Sequence, residues 1–216
     1  MPPDRSILGK EVLRKSVHMA GFIVPLAYYF FIPRAYLLVV LPIAVIVAAF
    51  LELIRTSGNP IFPRILLRGH EEKGVLAGYF YAVLSLFLAA LLFDKTIAVA
   101  SMLFMTLGDG VTGLAGAAMA RADTRDYGRR PGPAAGEFLH ALRHHKPPAL
   151  MAVMLLSCGL IGLILYPALT PAAIIAGALG SMAADAFPWT VFGITVDDNL
   201  SIPLLSGALM VLAGAL

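Results

Sequence analysis

Long apolar stretches, separated by short polar or basic segments, divide the chain into helix-sized pieces. A transmembrane helix needs about 20 mostly apolar residues to cross the hydrocarbon core of a bilayer. The apolar stretches cover residues 17–32, 35–54, 74–93, 96–120, 149–166, 172–187 and 202–216. The pattern therefore predicts an all-α, polytopic helical membrane protein with about seven transmembrane helices.

The polar segments between these stretches indicate one membrane domain. Residues 1–16 form a polar and basic head, and residues 121–148 form the longest polar connection, which is too polar and too broken to cross a membrane. The sequence shows no convincing internal repeat, heptad pattern or low-complexity tract. Residues 1–216 are therefore predicted to be a single integral membrane domain with one large loop.

Composition agrees with this interpretation. Of the 216 residues, 59% are hydrophobic and 13% are charged, and the mean hydropathy is +0.85, far above that of an ordinary soluble domain. The single cysteine, Cys158, lies in an apolar stretch and excludes an internal disulfide. The first apolar stretch ends without an Ala-x-Ala-like site, so we expect a retained span and not a cleaved signal peptide.

The basic residues indicate the orientation of the chain. If the amino terminus is cytoplasmic, only Arg34 and Lys95 of the 16 Lys and Arg residues fall on the outer side. This bias follows the positive-inside rule and predicts a cytoplasmic amino terminus and large loop. It also argues against a nucleic-acid partner, because the basic charge is spread over topology-determining loops without interleaved aromatic residues.

One carboxylate lies inside the fourth apolar stretch, within Leu107-Gly108-Asp109-Gly110-Val111-Thr112-Gly113. A charged group at the centre of a bilayer costs about 2.5–3.5 kcal/mol on insertion scales, so Asp109 is the first candidate for a functional site. The structural alternative is a hydrogen bond between packed helices, with the glycines allowing close contact. A dinucleotide-binding loop is excluded, because the glycine run follows no predicted strand.

The predicted topology brings other polar groups to the same inner face. Glu11, Arg14, Lys15 and His18 share one helix face if the first helix begins before the membrane. Further polar groups near this face are Glu52, Arg55, Glu71, Glu72, Lys73, Asp185, Asp197, Asp198 and Asn199. Carboxylate and amide oxygens suit Mg²⁺, whereas Lys and Arg suit phosphate. This inventory is typical of a site for a nucleoside triphosphate.

Several of these residues also have structural explanations. Arg14 and Lys15 are explained equally well as topology charges, and His18 as a hydrogen-bond partner of a neighbouring helix. Asp197-Asp198-Asn199 suits the amino-terminal cap of the last helix. Glu52-x-x-Arg55 is better explained as a structural i, i+3 pair than as a ligand set.

In this order, the motifs resemble those of the polyprenol and diacylglycerol kinase family. This family includes dolichol kinases, phytol kinases and CTP-dependent diacylglycerol kinases, and is distantly similar to CDP-diacylglycerol synthases. The resemblance extends from about Glu11 to about Leu204. The motifs are Glu11-x-x-Arg14-Lys15-x-x-His18, Glu52-Leu53-Ile54-Arg55, Glu71-Glu72-Lys73-Gly74 with Gly78-Tyr79-Phe80-Tyr81, Gly108-Asp109-Gly110, and Asp197-Asp198-Asn199-Leu200-x-Ile202-Pro203.

The resemblance implies a kinase that transfers the γ-phosphoryl group of CTP, with Mg²⁺, to the hydroxyl of a membrane lipid alcohol at the cytoplasmic interface. The lipid would be an isoprenoid alcohol, such as a polyprenol or phytol, or diacylglycerol. The implied metal ligands are Asp109, Asp197 and Asp198, and the implied catalytic residues are Asp109, Asp198 and Lys15. The implied nucleotide- and phosphate-binding residues are Arg14, Lys15, His18, Gly108, Gly110, Lys146 and Asn199.

Two other functions stay open at this point: a CTP-dependent cytidylyltransferase that makes a CDP-lipid, and a non-catalytic membrane carrier or scaffold. One departure from the family bears on the choice. A Lys-Ser-x-Glu-Gly element commonly opens the span after the large loop, and here the corresponding place is Lys146-Pro147-Pro148-Ala149-Leu150. Altered donor specificity or loss of activity is therefore open, as is a homodimer through small-residue helix faces.

Overall fold

A computed structural model of the chain describes residues 5–57, 76–119, 145–187, 189–191 and 194–214. The described part is helical apart from a hairpin in which β1 (Thr190–Val191) pairs antiparallel with β2 (Ile194–Thr195). The helices are α1 (Arg5–Ala20), α2 (Ile23–Phe30), α3 (Arg34–Thr56), α4 (Gly78–Leu92), α5 (Lys95–Leu103), α6 (Asp109–Ala118), α7 (Pro148–Ile164), α8 (Pro171–Ala186) and α9 (Asp198–Gly214). The all-α prediction is therefore confirmed.

The first apolar stretch differs from its prediction as one helix over 17–32. In the structure α1 ends at Ala20 and α2 begins at Ile23, with a turn between them. Pro25 explains the break, because a proline ring clashes with the carbonyl four residues earlier, here that of Gly21. The turn is closed by hydrogen bonds from the backbone of Gly21 and Phe22 to the preceding helix.

The last helix also begins before its predicted start at residue 202. Asp197 caps α9: its side-chain Oδ1 accepts a hydrogen bond from the backbone N–H of Asn199 at 3.0 Å, and its carbonyl accepts from Leu200 and Ser201. Asp is favoured at such an amino-terminal cap. As a result, Asp198 and Asn199 lie in the first turn of a helix and not in a loop.

A central helix organises the bundle. The helices α5 and α6 are joined by a π-helical segment, Phe104–Gly108, into one continuous helix, Lys95–Ala118, that is largely buried. The helices α1, α2, α4, α7 and α9 pack against it. The π turn ends directly before Asp109, and such turns occur frequently at functional sites.

Within the described part of the chain, two helices are long and apolar enough to cross a membrane: α3 and the central helix. They differ in packing, because the central helix is mostly buried while α3 is mostly exposed. The exposed side of α3 carries large apolar side chains, among them Val39, Ile46 and Leu53, each more than 60% exposed. A continuous apolar surface of this kind marks contact with a membrane or with another protein.

The glycines of the central helix allow close packing by its neighbours. A Cβ atom at Gly108 would lie 2.7 Å from Sγ of Cys158, and a Cβ atom at Gly110 would overlap Met19 of α1. Protein side chains therefore occupy the faces of Gly108 and Gly110 that the sequence analysis assigned to a nucleotide. The small-residue packing alternative explains both positions.

Replacing Gly110 with alanine is expected to destabilise the protein. The new Cβ would overlap Met19 and push α1 away from α6, and overpacking of this kind typically costs about 1–3 kcal/mol. Thermal unfolding in detergent micelles measures the effect.

Gly159→Ala is the matched control, because a Cβ there meets nothing within 4 Å. This control is expected to be neutral or stabilising by up to about 1 kcal/mol, the helix propensity of alanine over glycine. Equal melting temperatures for the two variants would contradict the packing role of Gly110.

Candidate functional site

Three buried carboxylates meet at the end of α8, the start of α9 and the point in the central helix where α6 begins. Asp109 opens α6, Asp185 lies in the last turn of α8, and Asp198 opens α9. Each contributes one carboxylate oxygen to a group in which these atoms all lie within 4.8 Å of one another. Each residue is at most 4% exposed, so the group is shielded from solvent. We call these three residues the carboxylate cluster.

Two lysines from other elements neutralise part of this charge. Lys15 of α1 places its Nζ 2.6 Å from Oδ2 of Asp109, and Lys146, just before α7, places its Nζ 2.6 Å from Oδ1 of Asp185. Gly113 makes the first contact possible, because a Cβ there would overlap the Lys15 side chain. Among the described residues, three carboxylates thus meet two ammonium groups, and a bound cation would add positive charge beside these carboxylates.

His18 lies one turn after Lys15 on the same face of α1. Its Nε2 is 3.0 Å from the carbonyl oxygen of Met105 and 3.4 Å from Oδ2 of Asp109. Since a carbonyl oxygen only accepts, Nε2 carries the hydrogen and donates to Met105. His18 thereby binds a carbonyl of the π-helical segment that precedes Asp109.

The Oδ1 atoms of Asp109 and Asn199 are buried acceptors at the site, and neither has a hydrogen-bond partner among the described residues. The orientation of the Asn199 amide is fixed, because its Nδ2 donates to Oδ1 of Asp197 at 2.7 Å and to the carbonyl of Gly78 at 3.3 Å. An unsatisfied buried acceptor costs about 1–3 kcal/mol. Both atoms are therefore available to accept a hydrogen bond from a ligand or to bind a cation.

The structure brings together five residues that the sequence named as site residues: Lys15, His18, Asp109, Lys146 and Asp198. It adds Asp185 to them. Arg14 precedes Lys15 in α1 and is partly exposed. The side chain of Glu11, the residues Glu71, Glu72 and Lys73, and positions 121–144 of the large loop lie outside the described part of the chain.

Asp197 differs from its predicted role as a metal ligand. It is not one of the three clustered carboxylates, and its Oδ1 binds the backbone and side-chain nitrogens of Asn199. Asp185 takes the third position in the cluster. The signal for Asp185 was available in the sequence: it is a lone carboxylate in the apolar segment of α8, and the cost argument used for Asp109 applies to it equally.

Glu52 and Arg55 form the structural pair that was expected. Nε of Arg55 donates to Oε2 of Glu52 at 2.9 Å. The same carboxylate accepts hydrogen bonds from the backbone N–H of Ala77 at 2.9 Å and from the hydroxyl of Tyr79 at 2.6 Å. This buried group therefore fixes the end of α3 to the start of α4.

The residues of the cluster fit a divalent metal ion of the Mg²⁺ class. Carboxylate oxygens are the hard ligands that Mg²⁺ prefers, and Mg²⁺ sites typically combine one or two protein carboxylates with water and substrate phosphates. The free acceptor on Asp109 supplies a ligand atom that no described protein group uses. Lys15 and Lys146 add ammonium groups of the kind that bind phosphate oxygens.

Comparisons with known proteins give little functional information. No protein-family model matches the chain, and no solved structure matches it. An uncharacterized protein of Rickettsia prowazekii (strain Madrid E) is 29% identical over 114 residues, an alignment that covers 49% of this chain and 55% of the relative. The chain thus spans about half the length of the curated relative that it matches.

Lys15→Met is expected to destabilise the protein by about 3–5 kcal/mol, because it leaves the carboxylate of Asp109 buried without its ammonium partner. The double variant Lys15→Met/Asp109→Leu removes both charges and is expected to recover part of this loss. Chemical or thermal unfolding of Lys15→Met, Asp109→Leu and the double variant in detergent measures the coupling energy between the two residues. A double variant as unstable as the sum of the single variants would contradict the buried ion pair.

Asp185→Asn is expected to weaken Mn²⁺ binding by at least about tenfold, since even outer-shell partners of metal ligands contribute about 10–100-fold to affinity. Asp197→Asn is the matched control, because asparagine keeps the cap of α9. Its Mn²⁺ affinity is expected to stay near that of the wild type. Electron paramagnetic resonance titration measures free Mn²⁺ in the presence of each variant. Weaker Mn²⁺ binding in Asp197→Asn with unchanged binding in Asp185→Asn would identify Asp197, and not Asp185, as the ligand.

Proposed function

We propose that the chain is an integral membrane lipid kinase, which transfers the γ-phosphoryl group of a nucleoside triphosphate to the hydroxyl of a membrane lipid alcohol. The observation that carries the proposal is the carboxylate cluster, buried among apolar helices and paired with Lys15 and Lys146. The sequence resemblance adds CTP as donor and an isoprenoid alcohol or diacylglycerol as acceptor.

A membrane location is supported by the exposed apolar side of α3 and by the length of the central helix. At about 1.5 Å per residue, Asp109 lies about 21 Å along the central helix from Lys95. With Lys95 at the outer surface of a hydrocarbon core about 30 Å thick, the cluster lies in the inner third. This position is reached by a lipid hydroxyl from the bilayer and by a nucleotide from the cytoplasm.

Seven membrane spans with a cytoplasmic amino terminus form part of the proposal. Helices α4, α7, α8 and α9 contain 15, 17, 16 and 17 residues, at or below the lower limit of about 17 for a simple span. Local thinning of the bilayer or flanking polar side chains accommodate such short helices at modest cost. The distribution of Lys and Arg supports the orientation.

Phosphoryl transfer depends on alignment and charge stabilisation more than on a covalent nucleophile, and the site contains groups for both. Asp109, Asp185 and Asp198 would hold Mg²⁺, which when bound neutralises phosphate charge and orients the oxygens. Lys15 and Lys146 would turn from their carboxylate partners toward the phosphates. A carboxylate oxygen of the cluster that is not bound to the metal would accept the proton of the lipid hydroxyl.

The direct test is incubation of the purified protein with lipid alcohols, Mg²⁺ and CTP labelled in the γ position. We expect transfer of the label to the lipid, loss of transfer on chelation of Mg²⁺, and a loss of at least about 100-fold in Asp109→Asn, the scale of a positioned acid–base or charge-stabilising group. Asp94→Asn is the control, because it makes the same change in an exposed turn.

Two other results would identify different functions. Label transferred only from α-labelled CTP would indicate a cytidylyltransferase. A folded protein that labels no lipid from either position, with CTP or with ATP, would contradict the kinase proposal and favour a carrier or scaffold.

A further inference from the structure

The buried carboxylate of Glu52 lies outside the cluster, where the end of α3 meets the start of α4. Glu52 is 3% exposed, and each of its oxygens accepts two hydrogen bonds. Oε1 accepts from the backbone N–H of Ala77 and from Nη2 of Arg55, whereas Oε2 accepts from the hydroxyl of Tyr79 and from Nε of Arg55. No group assigned to phosphoryl transfer takes part in this arrangement.

The carboxylate holds the residues on both sides of Gly78. Ala77 precedes α4 and Tyr79 is its second residue, so Glu52 binds the chain immediately before and after Gly78. The N–H groups at the start of a helix lack partners within the helix, and a carboxylate there is also favoured by the helix dipole. Glu52 therefore fixes the first turn of α4 against the end of α3.

Gly78 connects this arrangement to the carboxylate cluster. Its carbonyl accepts a hydrogen bond from Nδ2 of Asn199, at a separation of 121 residues in the sequence. The same Nδ2 binds the capping residue Asp197, and Asn199 follows Asp198 directly. The first turn of α9, which presents Asp198 to the cluster, is thus anchored to the carbonyl that Glu52 holds in place.

We propose that Glu52 is a positioning residue for the cluster, acting through Gly78 and Asn199 on Asp198. This inference rests on one part of the proposed function, namely that the carboxylate cluster binds a divalent cation. Glu52 fixes Gly78 and Gly78 orients Asn199, so loss of the Glu52 charge changes cation affinity without removing a ligand.

Glutamine at position 52 is the sharpest variant because it keeps the shape and removes the second acceptor. Oε1 of Glu52 faces two N–H donors, whereas Oε2 faces one N–H donor and the hydroxyl of Tyr79. In either orientation the amide NH₂ of glutamine therefore points at one or more N–H groups of Ala77 and Arg55, which can only donate. Tyr79→Phe is the milder companion, since it removes the hydroxyl that donates to Glu52 and leaves the carboxylate in place, with little change in volume.

The experiment measures Mn²⁺ affinity of the purified full chain by electron paramagnetic resonance. We expect Glu52→Gln to weaken binding about 10–100-fold, the range for outer-shell partners of metal ligands, and Tyr79→Phe to weaken it less. Ser85→Ala, which removes another buried hydroxyl from α4, is the control and should leave the affinity unchanged. If Glu52 acts through Asn199, Glu52→Gln/Asn199→Ala should bind no more weakly than Asn199→Ala alone.

Amide hydrogen exchange gives an independent readout of the same anchor. The N–H groups of Leu200 and Ser201 bind the carbonyl of Asp197, and their exchange should be faster in Glu52→Gln. The positioning role would be overturned if Glu52→Gln bound Mn²⁺ as tightly as the wild type, or if the losses of affinity from Glu52→Gln and Asn199→Ala added up in the double variant. Either result would leave the proposed function intact. A wild type that binds no Mn²⁺ would overturn the proposed cation site, and unchanged exchange in Glu52→Gln would overturn the anchor itself.

Discussion

The buried ion pair between Lys15 and Asp109 is the interaction on which the arrangement of the site depends. Its two partners lie on α1 and on the central helix, 94 residues apart, and its atoms are 2.6 Å apart where water has little access. A charge in such a place is tolerated only with a partner. The pair therefore fixes how α1 lies on the central helix, and Gly110 and Gly113 provide the space for Met19 and Lys15.

The other residues of the site lie around this ion pair. The π-helical segment leads into Asp109, and His18 binds a carbonyl of that segment. The helices α8 and α9 pack closely and bring Asp185 and Asp198 to the same place. Lys146 is tied to the end of α8 twice, through the side chain of Asp185 and through a backbone hydrogen bond to Ala186. The charged residues that compensate one another at the site thus come from four helices, α1, α6, α8 and α9, and from the segment before α7.

Most of the helical pattern was predictable because apolar stretches of this length have few alternatives to a helix. The spacing from Arg14 to His18 correctly predicted a continuous α1. The cost argument singled out Asp109 as a site candidate, and the structure places it buried and paired with Lys15. The break before α2 was missed, since it depends on backbone chemistry at Pro25 that hydropathy does not register. Hydropathy alone also placed the start of α9 too late, although the cap at Asp197 was recognised as the structural alternative for Asp197-Asp198-Asn199. The packing of Gly108 against Cys158 and of Gly110 against Met19 was not predicted, because the sequence does not show which helix contacts each glycine. Asp185 was placed on the inner face but not assigned a ligand role, because the cost argument for a carboxylate in an apolar segment was applied to Asp109 and not to Asp185.

The central claim is that the buried carboxylates form a divalent-cation site within an enzyme of lipid phosphorylation. Its most direct test is an anomalous difference map from crystals of the protein grown with Mn²⁺. The account predicts a peak among the carboxylates of Asp109, Asp185 and Asp198, with Lys15 or Lys146 displaced from its carboxylate partner. Well-ordered side chains at these positions without a peak, or a peak at other residues, would contradict it.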